Sequence, residues 1–98
     1  MKPYIDLETT DKYIVREFSQ NIDPIELMWH RDDEDRIVEV LKGEGWQFQR
    51  DNELPVELKE GDSIFIPKYQ WHRVHKGEGK LILKIVEHGQ LRFKKIFN

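Results

Sequence analysis

The sequence contains no cysteine. That absence excludes disulfides, thiolate metal ligands and thiol nucleophiles together. No apolar run approaches the roughly 20 residues of a membrane-spanning helix. The opening stretch Met1-Lys2-Pro3-Tyr4-Ile5-Asp6 lacks the apolar centre of a signal peptide. The expectation is therefore a cytoplasmic protein without a membrane partner. An excess of positive charge is missing too: 16 basic residues face 19 acidic ones, for a net charge of −3. Such a balance gives no pull toward nucleic acid. The chain also lacks a phosphate-binding glycine loop, a dinucleotide fingerprint and a Ser-His-Asp arrangement. Lys42-Gly43-Glu44-Gly45 holds two glycines but not the required spacing. With 98 residues, a single domain spanning 1–98 and one pocket are expected.

What the sequence does hold is a succession of short β-prone segments. Residues 13–18, 25–30, 36–41, 46–50, 54–58, 63–66, 71–75, 81–87 and 91–97 are rich in β-branched and aromatic side chains. Turn residues separate them: Asp23-Pro24, Gly43 and Gly45, Asp51-Asn52, Gly61-Asp62, Gly77 and Gly79, and Gly89. Trp46-Gln47-Phe48-Gln49 alternates aromatic and polar, as a half-buried strand does. Pro55 assigns its segment to an edge or a bulge. Residues 63–66 read as a buried strand, and residues 1–12 are ambiguous. Eight or nine strands with almost no helix predict an all-β antiparallel sandwich or jelly roll, its core at about 13–87 and a final strand at 91–97.

Two stretches stand out. One is Trp29-His30-Arg31-Asp32, running into Arg36 and Gly43. The other runs from Gly61 through Pro67 and Tyr69 to Trp71-His72. In the second, Gly61, Pro67 and His72 match the spacing of the second cupin motif, with Tyr69 where that motif usually has glycine. In the first, His30 and Gly43 match the first motif. Asp32 stands where a second histidine belongs, and Arg36 where a glutamate belongs. Residues 25–87 thus resemble the cupins. The resemblance implies a double-stranded β-helix, a jelly-roll barrel with a pocket at one mouth, and a metal site through His30 and His72.

Alternation along a strand places residues two apart on one face, so Asp32 joins His30 as a ligand candidate. Two histidines and one carboxylate form a facial triad suited to Fe, Mn, Ni or Zn. Arg36 cannot ligate a metal. It either pairs with Asp32 or Glu34 or anchors an anionic ligand. Trp46, Tyr69 and Trp71 are candidates for the pocket rim, with core packing as the alternative, and Gln47 and Gln49 for hydrogen bonds to a ligand. His75 and His88 are expected on the surface, and the acidic run 32–35 in a solvated turn. Phe93, Ile96 and Phe97 suggest docking onto a second copy, giving a homodimer. Three functions remain open. One is a metal-dependent enzyme of oxygenase or isomerase type acting on a small polar molecule. The second is a metal-free module binding a carboxylate, phosphate or sugar. The third is a structural or regulatory dimer.

Overall fold

The alternation in the central segments decides the architecture. In residues 81–85, Leu81, Leu83 and Ile85 are buried while their neighbours are not, and Val38 and Val40 repeat the pattern. Paired antiparallel, Val38 faces Ile85 and Val40 faces Leu83, so two apolar rows share one inner face. Removing each such side chain from water contributes about 1.5–3 kcal/mol.

The computed structural model describes residues 2–87. Eight strands follow one another: β1 (Tyr4–Thr9), β2 (Ile14–Phe18), β3 (Arg36–Glu44), β4 (Gln47–Arg50), β5 (Val56–Glu57), β6 (Ser63–Ile66), β7 (His72–His75) and β8 (Glu78–Glu87). They form two antiparallel sheets, ordered β1-β2-β8-β3-β6 and β5-β4-β7. The inner faces meet in a core that includes Phe18, Leu27, Trp46, Phe48, Leu58 and Ile66. The all-β jelly-roll expectation holds.

Several local expectations are corrected. Residues 25–30 are not a strand. Asp23 caps a 3-10 turn over Pro24–Glu26, its Oδ1 accepting from the Ile25 amide. Proline just inside and aspartate just before a turn of helix favour that outcome over extension. The ambiguous N-terminal stretch supplies β1, which pairs with β2. Residues 63–66 form a largely uncovered strand at the outer edge of the larger sheet, with Ile66 alone fully buried. Pro55 does lie beside an edge strand, β5. The expected strand 91–97, its docking residues and His88 lie outside the described residues.

Trp46 takes the core position rather than the pocket rim. It is 0% exposed, against Phe18, with its Nε1–H donating toward the Glu78 and Gly79 carbonyls at 3.3 Å each. Burial with the indole N–H satisfied is the favourable place for this side chain. Gly77 permits it: a Cβ there would collide with the backbone of Glu44, Gly45 and Trp46. With Trp46 and Phe48 turned inward, Gln47 takes the outer face and is exposed.

Candidate metal centre

The site begins with a single antiparallel bridge. The His30 amide donates to the His72 carbonyl at 3.0 Å, and the His72 amide donates to the His30 carbonyl at 2.9 Å. Directly opposed residues in an antiparallel pair send their side chains to the same face. The two imidazoles accordingly meet edge-on, with ring centres 4.3 Å apart. His72 comes from β7 and is 3% exposed, packed beside Phe48. His30 comes from an irregular segment and keeps a solvent-facing edge. The histidines converge as expected, as neighbours across this one bridge.

Each ring is oriented in the same way. His30 Nδ1 lies 3.0 Å from the Met28 carbonyl, and His72 Nδ1 lies 2.8 Å from the Gln70 carbonyl. A carbonyl only accepts, so each Nδ1 carries the proton and each Nε2 keeps its lone pair. Such an arrangement fixes tautomer and rotation for a metal ligand.

Asp32 completes the group although residues 31–35 are not a strand. The Tyr69 amide donates to the Asp32 carbonyl at 2.8 Å, and the Lys68 amide donates to Asp35 Oδ1 at 2.8 Å. These bonds pin the loop to residues 67–70. One ligand atom from each of His30, Asp32 and His72 lies within 4.8 Å of the others.

Charge is distributed unevenly over Asp32. Its Oδ1 faces Arg36 Nη1 at 3.3 Å. Its Oδ2 lies 3.3 Å from His72 Nε2, buried and without a hydrogen-bond partner among the described residues. Carboxylate oxygen and bare imidazole nitrogen are both acceptors, so the contact calls for a proton or a cation between them. Burial pushes the Asp32 carboxyl up, but the His72 contact and the Arg36 guanidinium outweigh it and hold it below the usual carboxylate range. Burial lowers His30 from its ordinary value, which keeps that ring neutral and able to ligate. The donor set and the orphaned oxygen fit a divalent ion.

Arg36 points inward but is shared. Its Nη2 reaches Glu87 Oε2 at 3.4 Å, its cross-strand partner on β8, and its Nε is buried without an acceptor. Glu87, rather than Glu34, is the second carboxylate. Two cavities adjoin the group. An outer one of about 300 Å3 is lined by His30, Asp32 and Arg36. An inner one of about 60 Å3, between the sheets, is lined by His30, His72, Arg36 and apolar side chains of both sheets.

The remaining candidates lie elsewhere. Tyr69 and Trp71 are 54% and 45% exposed, beside Arg31, and line neither cavity. Gln47 lines neither, and Gln49 is engaged with the Glu53 carbonyl and with His75. His75 is half-buried rather than exposed. Sequence reasoning missed Arg16, which lines both cavities, and Glu87. The register that pairs Arg36 with Glu87 spans 51 positions and leaves no local signal.

A family model described as a cupin domain matches residues 20–89. The chain belongs to the cupin family. Its likeness to solved structures is one of fold. KdgF from Halomonas sp. superposes with a TM-score of 0.63 at 17% identity, over 86% of this chain and 77% of that one. DMSP lyases match with a TM-score of 0.63 at 18% identity, over 74% of this cupin. Fe(II)-HppE with the alternative substrate (S)-1-HPP matches with a TM-score of 0.59 at 21% identity, over 76%. This cupin spans only 35% of the lyase chain and 40% of the HppE chain. No curated protein matches its sequence.

Proposed function

We propose that this cupin holds a divalent transition ion on His30, Asp32 and His72 and acts on a small polar or anionic molecule in the adjoining outer cavity. One observation carries the reading. Two imidazoles with Nδ1 already engaged offer Nε2 beside a buried Asp32 oxygen that has no other partner. Fe, Mn, Ni or Zn suits such a set. When bound, the ion supplies Lewis-acid or redox chemistry.

The chain's own residues do the rest. The Met28 and Gln70 carbonyls hold the rings in place. Glu87 and Asp32 hold Arg36 from two sides, so its guanidinium is set to receive an anionic group. Phe48, Ile66 and Leu83 give the inner chamber an apolar lining. Oxygenase and isomerase chemistry both fit this arrangement.

The test is elemental analysis of protein purified without a metal-affinity tag, alongside His30→Ala and His72→Ala. About one ion per chain in the wild type and a loss of about tenfold or more in each variant support the reading. Equal, negligible metal in all three favours the second reading. There the 3.3 Å contact of His72 and Asp32 is an imidazolium–carboxylate pair. The pocket then serves a metal-free module that binds a carboxylate, phosphate or sugar.

A further inference from the structure

The outer cavity carries two arginines where the motif spacing drew attention to one. Arg36 enters from β3 and Arg16 from β2, and both also reach the inner chamber. Arg16 is held ready. Its cross-strand partner is Asp6, to which Nε and Nη2 donate at 2.7 and 3.3 Å. Its guanidinium lies 3.6 Å from the centre of the Tyr4 ring. An arginine fixed by one carboxylate and stacked on an aromatic ring loses little freedom when it takes a ligand, and Nη1 remains for that purpose. Arg36 Nε is buried with no acceptor among the described residues, a desolvation cost that a ligand oxygen would remove.

The charges narrow the ligand. Arg16, Arg36 and a divalent ion bring four positive charges; their carboxylate partners Asp6, Asp32 and Glu87 bring three negative ones. Counting these paired groups alone, a single positive charge is left over. Much of the remaining wall is apolar, from Tyr4, Phe18, Leu27, Met28 and Val74, and its other acidic residue is Glu26. A second negative charge on the ligand would meet hydrocarbon or that carboxylate. We infer that the site takes a small aliphatic or aromatic monocarboxylate. Its carboxylate sits between Arg16 and Arg36 and its hydrocarbon part against Phe18, Leu27 and Met28. The inference rests on the metal reading above, because without the ion the same count is negative. Ion and carboxylate therefore strengthen each other's binding.

Calorimetry on the full chain separates the outcomes. Co(II) is titrated alone, then isobutyrate, isobutyramide, succinate and inorganic phosphate into loaded and metal-free protein. Isobutyrate is expected to bind the loaded protein about tenfold or more tightly than the other three, and the metal-free protein about tenfold more weakly. Arg16→Gln is expected to keep Co(II) affinity within about twofold and to lose about tenfold in isobutyrate affinity. Co(II) uptake without a preference for isobutyrate overturns this inference and leaves the metal reading standing. Absence of Co(II) uptake removes both. Equal isobutyrate affinity in wild type and Arg16→Gln overturns the placement between two arginines. Should Arg16→Gln fail to fold, the wild-type contrast between isobutyrate and the similarly shaped isobutyramide still decides whether the site demands charge.

Discussion

His30 and His72 perform the same local act on different supports. Each donates Nδ1–H to the carbonyl two residues before it, which leaves Nε2 as its ligand atom. His72 does so from a strand, packed beside Phe48 and nearly sealed from solvent. His30 does so from an irregular segment that follows a 3-10 turn and has one edge in water. One half of the centre is thus part of the core, and the other is a surface segment clipped onto it. A ligand pair can be matched in chemistry while unequal in rigidity.

The sharpest way to break that contrast is to delete each ring. His72→Ala is expected to cost about 2–4 kcal/mol in chemical denaturation of the metal-free protein, from the cavity it leaves and the Gln70 carbonyl it orphans. His30→Ala is expected to cost less than about 1 kcal/mol, as exposed sites do. Equal costs would show that the two supports do not differ.

Asp32→Asn probes the loop that joins both halves. It keeps the side-chain shape but removes the charge facing Arg36 and His72. Ion affinity, read by competition with a chelator, is expected to fall at least as far as the ~10–100-fold typical of losing an outer-shell partner.

Acid offers a milder test. In the metal-free fold His30 gives up its proton more readily than in the unfolded chain, where its value is near 6.5. Unfolding then takes up a proton below that pH. The stability from this group is complete above about pH 6.5 and falls as pH drops toward the lowered folded value. Asp32, also lowered in the fold, adds a second decline below its unfolded value of 3.8. Denaturant midpoints between pH 7 and pH 5 should fall in wild type and stay flatter in His30→Ala.

Tyr69→Gly is the smallest of the expected effects. Tyr69 has φ +66° at the position where the cupin motif usually has glycine. The left-handed region costs a side-chain-bearing residue about 1–2 kcal/mol. Glycine removes that cost but adds freedom to the unfolded chain. The expected net change is within about 1 kcal/mol of wild type, on the stabilising side, read as a small rise in Tm.

The two halves also differed in how legible they were in the sequence. The Gly61–Pro67–His72 spacing marked its arm through its resemblance to the second cupin motif, whereas the local reading of 63–66 as a buried strand was corrected. The His30 arm was misread as a strand, although Asp23-Pro24 carried the signal of a capped turn. Asp32 was placed on the right face by an alternation that the backbone does not follow; the bond from the Tyr69 amide positions it instead. For Trp46 the alternation left rim and core both open, because it gives the period of a strand but not its phase; the core reading is the one the structure bears out. The close approach of Gly77 to the backbone of residues 44–46, from 31 positions beyond Trp46, is likewise not written locally. Arg16 and Glu87 were invisible for a related reason. Their neighbours are chosen by strand register between distant segments, and no local pattern encodes register.

The His30–His72 bridge is only one residue pair deep, with no ladder continuing on either side. Its two amide hydrogens are therefore free to exchange with deuterium through a small local opening, without waiting for the sheets to come apart. They form a built-in clock for the breathing of the pocket wall, placed at the residues whose chemistry that breathing would interrupt.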